Sequence, residues 1–122
     1  VDVGIVNPAR PAVSGRFPAE CPSRVVLTHV TSRWGVLILL ALERGPLRWG
    51  ELRREIEGVS EKMLASTLKT LEADGIVHRA AQPTIPPRVD YSLTERGTDL
   101  AARLVPLMDW ILDNADEIVA GR

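Results

Sequence analysis

The stretch RWGELRREIEGVSEKMLASTLKTLEADGIVHRAAQPTIPPRVDYSLT, residues 48–94, decides the fold. Arg48 to Glu57 reads as a short charged helix, with Leu52 and Ile56 facing inward four residues apart. Gly58 and Val59 make a tight turn. Ser60 then caps an amphipathic helix that runs to Asp74, where Gly75 stops it. Ile76 to Ala81 and Arg88 to Leu93 read as two strands around the tip Pro83-Thr84-Ile85-Pro86-Pro87, where proline costs no ladder hydrogen bond. Helix, turn, helix and β-ribbon is the layout of a winged helix-turn-helix: mainly α, with a small ribbon and a second helix shaped for a DNA major groove.

Upstream, Pro22 suits a first helical position, and Val26 and Val30 begin an apolar stripe. Ser32 looks like the N-cap of a second helix from about Trp34 to Arg44, stopped by Gly45-Pro46. Residues 1–20 hold Pro8, Pro11 and Pro18 with Gly4 and Gly15 and show no apolar period, so they are expected to form a flexible arm before a domain spanning 21–122. Downstream, Thr94 caps a last helix whose apolar positions Leu100, Leu104, Leu107, Met108, Ile111, Ala115 and Ile118 keep helical spacing. Pro106 is expected to kink or split it.

At 122 residues there is room for one core, and 4% aromatic content leaves its packing to aliphatic side chains. Lys and Arg number 15 against 16 Asp and Glu, so a DNA surface must come from local clustering rather than net charge. The run Val36 to Leu42 is too short to span a bilayer. The start of the chain lacks the basic and apolar regions of a signal peptide. Cys21 is the sole cysteine, which excludes an internal disulfide and suits a reducing, cytoplasmic location.

The helix from Ser60 to Asp74 carries the binding chemistry. Leu64, Leu68 and Leu71 share one face; at 100° per residue, Lys62, Ser66 and Lys69 lie opposite, flanked by Ala65 and Thr70. The lysines suit phosphates or guanine edges, the hydroxyls suit bases or phosphates, and Ala65 leaves room for a thymine methyl. Ser60, at the mouth of this helix, is expected to join the DNA contacts. Arg48, Arg53 and Arg54 are expected to hold phosphates from the preceding helix, and Arg79 and Arg88 to clamp a neighbouring groove from the ribbon. Ser60, His78 and Asp90 are scattered, and there is no phosphate loop, nucleophile elbow or metal-ligand spacing, so neither an enzyme nor a cofactor or metal is expected. His29 and His78 read as isolated.

Several motifs occur in order: Cys21-Pro22, Ser32-Arg33-Trp34, Arg48-Trp49-Gly50-Glu51-Leu52-Arg53-Arg54, Val59-Ser60-Glu61-Lys62-Met63-Leu64, Leu71-Glu72-Ala73-Asp74-Gly75-Ile76-Val77 and Pro86-Pro87-Arg88-Val89-Asp90-Tyr91-Ser92-Leu93-Thr94. The ordered set, from Cys21 to about Trp110, resembles the HxlR-type winged-helix transcriptional regulators, which are MarR-like in architecture. That resemblance implies a homodimer joined by its first and last helices on a near-palindromic operator. The long, apolar final helix agrees with it independently.

In several regulators of this type, the cysteine before the first helix senses oxidants or electrophiles. A thiol beside a helix N-terminus feels the positive end of the dipole, which favours thiolate. Cys21 is therefore read either as a sensor or as an inert packed residue. A small-effector pocket lined by Trp34, Leu37, Trp110 and Ile111 is the other candidate switch, against the plainer reading of these residues as core. The leading expectation is a cytoplasmic repressor, released from double-stranded DNA by thiol modification or a small effector. The alternative is a winged-helix module that docks another protein through the same helix.

Overall fold

A computed structural model describes residues 21–122, so the expected arm over residues 1–20 lies outside the described residues. Helix α1 (Pro22–Thr31) starts at Cys21, whose carbonyl accepts from the backbone N–H of Arg24 at 3.0 Å. Helix α2 (Arg33–Leu42) leaves it at 69°. Ser32 makes this corner, because its Oγ accepts from the N–H of Gly35 at 3.1 Å and its hydroxyl also reaches the carbonyl of His29. Side chains are excluded at Gly35: a Cβ there would lie 2.5 Å from the His29 carbonyl oxygen. Ile38, Leu39 and Leu42 make α2 the central rod of the core.

Strand β1 (Leu47–Arg48) and helix α3 (Trp49–Glu55) follow, with Leu52 and Ile56 buried against α2. Gly58, at φ 90°, supplies a backbone angle that a Cβ would oppose, and it turns the chain into helix α4 (Glu61–Ala73). Ser60 Oγ caps α4 by accepting from the N–H of Met63 at 3.0 Å. The far end closes with two crossed bonds: the N–H of Ile76 reaches the carbonyl of Leu71, and that of Gly75 reaches Glu72, both at 3.0 Å. This is a Schellman cap, and it needs the positive φ of 72° that Gly75 supplies.

Strands β2 (Val77–Gln82) and β3 (Arg88–Leu93) form the antiparallel wing, in register from Val77 opposite Leu93 to Gln82 opposite Arg88. The expected two-strand ribbon is in fact a three-strand sheet in the order β1-β3-β2, with Leu47 opposite Tyr91 and Arg48 opposite Asp90. A two-residue strand is too short to show a period in sequence. Arg48, expected on the third helix, is thus a sheet residue, and that helix is shorter than the span 48–57. Helix α2 likewise ends at Leu42 instead of Arg44.

Helix α5 (Glu95–Ala120) is a single helix of 26 residues, so Pro106 does not split it. Thr94 caps it by accepting from the N–H of Gly97 at 3.0 Å, and the Thr94 hydroxyl bonds the carbonyl of Gly75 at 2.6 Å. The start of α5 is thereby fastened to the junction of α4 and β2. All of its buried residues, Gly97, Ala101 and Leu104, precede Pro106.

Candidate DNA interface

Helix α4 divides as its spacing predicts. Leu64, Leu68 and Leu71 are buried, while Lys62, Ala65, Ser66 and Lys69 are exposed and Thr70 is half-buried beside them. The core pins one face, so the opposite face is presented as a fixed surface of short polar groups between two lysines. Short side chains would let a helix backbone approach base edges, and lysines so placed are of a length to reach phosphates. Met63, exposed beside Lys62, adds an apolar group to this face.

The basic residues around this face fall into two groups. Arg53 lies 3.5 Å from Glu61, Arg48 3.6 Å from Glu51, and Arg88 3.0 Å from Asp90. Asp90 also accepts from Gln82 Nε2 at 2.9 Å, which lines up the two wing strands near the tip. By contrast, Arg54, Lys62, Lys69 and Arg79 have no carboxylate within 4.0 Å among the described residues. Exposed ion pairs of this type contribute at most about 1 kcal/mol, so a phosphate can replace the carboxylate partner at small cost.

Glu51 has its carboxyl held below the usual range, first because it accepts from the backbone N–H of Arg48 at 2.9 Å and then through the nearby Arg48 and Arg54 guanidinium groups. The wing tip overhangs a groove of about 460 Å³ lined by Arg48, Trp49, Pro87 and Arg88. Ile85 stands fully exposed at its apex.

Other predicted residues lie elsewhere. Cys21 is half-buried at the N-cap of α1. Trp34 and Leu37 pack against the core from α2, whereas Trp110 and Ile111 are exposed on α5. His78 is exposed on β2. His29 is not isolated: its Nδ1 lies 2.7 Å from Oδ2 of Asp74 at the end of α4. Nothing in the sequence flags that pairing, because 45 positions separate the two residues.

A capped, outward-facing helix beside a basic wing, on a mostly helical domain with a small antiparallel sheet, defines a winged helix-turn-helix protein of the DNA-binding type. The family model described as HxlR-like helix-turn-helix matches residues 29–119, and the chain belongs to that family. It is 55% identical over 106 residues to the HTH-type transcriptional regulator YtfH of Escherichia coli K12, covering 87% of this chain and 84% of that one. The solved structure of YtfH from Salmonella typhimurium is 51% identical, with a TM-score of 0.82 over 88% of this chain and 96% of that one. The redox regulator HypR in its oxidized form is 35% identical, with a TM-score of 0.71 over 77% of this chain and 97% of that one. The chain is thus a transcriptional regulator with a helix-turn-helix DNA-binding fold.

Proposed function

We propose that this protein is a sequence-specific repressor that binds a near-palindromic operator as a homodimer, with α4 in the major groove and the wing beside it. The observation that carries this reading is the division of α4, in which Leu64, Leu68 and Leu71 are buried and Lys62, Ser66 and Lys69 face outward. Ala65 and Thr70 complete the reading face, Ser60 caps it, and Arg48, Arg53, Arg54, Arg79 and Arg88 hold phosphates around it. Two copies join through α1 and α5, whose exposed Val25, Val26, Leu27, Trp110 and Leu112 are apolar surface that a monomer leaves in water. Pairing places two reading helices about one helical turn of DNA apart, or a multiple of it.

Release is assigned to Cys21 at the start of α1, supported by the likeness to the redox regulator HypR, whose oxidized form is a solved structure. With one cysteine per chain, the product is an intersubunit disulfide, a mixed disulfide or an electrophile adduct. A small effector between the paired helices, near Trp34, Leu37, Trp110 and Ile111, is the other route. The proposed site of action is the cytoplasm.

Selection of bound sequences from random double-stranded DNA tests the reading directly, since it reports binding, half-site spacing and symmetry together. Lys69→Ala and Arg88→Ala are then expected to weaken operator binding and each to lower the salt slope by about one unit. Normal binding by both variants would remove the assigned reading face.

A further inference from the structure

The protomer holds α1 with little apolar contact. Among the ten residues of Pro22–Thr31 only Val30 is buried, and Val25, Val26 and Leu27 are about half exposed. Against that thin contact stands one long-range side-chain bond, His29 Nδ1 to Asp74 Oδ2 at 2.7 Å. The two side chains are 31% and 22% exposed, which shields the bond in part from water. A charge-assisted hydrogen bond of this length is among the stronger polar contacts in proteins, comparable with burying one aliphatic side chain. It therefore adds a specific polar tie to the Ser32 corner and the buried Val30 in orienting α1.

The place where this bond lands matters more than its strength. Asp74 is the C-cap of α4, and the next two residues close that helix by bonding back to Glu72 and Leu71. The carbonyl of Gly75 also receives the Thr94 hydroxyl that begins α5. One imidazole thus ties α1 to the point where the reading helix, the wing and the last helix meet.

We infer that His29 is a positioning residue for DNA reading: through Asp74 it sets the stance of α1 against the C-terminal cap of α4. Displacement of α1 then loosens the end of the reading helix, and DNA binding in turn favours one stance of α1. The inference rests on the DNA-reading role proposed for α4. It does not require Cys21 to be the trigger.

Full-length protein carrying His29→Leu, which removes the donor, is compared with His29→Asn, which restores an N–H at the same branch of the side chain. Amide hydrogen exchange and affinity for the selected operator are the readouts. His29→Leu is expected to speed exchange about tenfold both in α1 and at residues 74–76, and to weaken operator binding about fivefold or more. His29→Asn is expected to recover most of both losses. Adding Asp74→Asn to His29→Leu should cost little more, since the bond is already gone. Unchanged exchange at residues 74–76 in His29→Leu overturns the link. Faster exchange with unchanged operator affinity overturns the reading role and leaves a local staple. A wild-type protein that selects no DNA overturns the proposed function itself, an outcome distinct from either.

Discussion

At the residue scale, Gly97 has the tightest surroundings of the described glycines. A Cβ there would sit 2.1 Å from the carbonyl oxygen of Ile76 and 3.2 Å from Leu93 Cδ2, so the first turn of α5 rests directly on the start of the wing. The obstruction is backbone and cannot swing aside. Gly97→Ala is expected to lower stability by about 1–3 kcal/mol, measured by urea unfolding, through enforced displacement of packed elements. Glu51 offers a milder test. Its carboxyl is held below 4.5 by the Arg48 N–H, so the favourable contact is present above the unfolded-state value and is lost as pH falls through the lower folded one. Titration of Glu51 by NMR should give a midpoint below 4.5, and Glu51→Gln should remove that acid-side dependence.

At the element scale, the signals that could be read in sequence were local ones. Ser32, Ser60 and Thr94 cap their helices as expected, because each cap needs only a hydroxyl one residue before the first helical turn. Ser60→Ala is expected to cost about 1 kcal/mol in thermal or chemical unfolding by freeing the N–H of Met63. It should also fray the end of α4 that carries Lys62. The leucine stripe of α4 was legible for the same reason, since its period depends on one helix alone. Strand β1 was not, because Leu47 and Arg48 become a strand only when β3 arrives 44 and 42 positions later to pair with them. The partners of Arg53, Arg88 and His29 were hidden likewise: charge in a sequence reveals which residues can bind phosphate, but not which carboxylates already occupy them. Pro106 resisted reading in the other direction. It removes one N–H from the helix ladder, yet it stands exposed in an unbroken helix.

At the scale of the whole molecule, α5 is longer than its own domain uses. Its 26 residues extend about 39 Å, and beyond Pro106 Leu107, Trp110, Leu112 and Val119 are between 52% and 65% exposed. An apolar surface of this extent on a helical arm suits a partner helix, and under the proposed function that partner is a second copy. Ile111→Asp is therefore expected to yield a monomer by sedimentation with its helical circular dichroism retained, since Ile111 is 40% exposed in the protomer. Operator affinity should then fall by about 100-fold or more, because the second half-site is no longer tethered. A dimer that persists in this variant would put the contact on another surface.

The two residues of β1 have a further consequence for how such a protein can change its target. By pairing Leu47 with Tyr91 and Arg48 with Asp90, they bolt the wing to the chain that leads straight into α3 and α4. The span between helix and wing is then a fixed gauge, like the jaws of a caliper locked at one opening. Under the proposed function, a new target is then reached by exchanging the side chains on the jaws, and a base pair inserted between the helix and wing contacts is expected to abolish binding rather than open them.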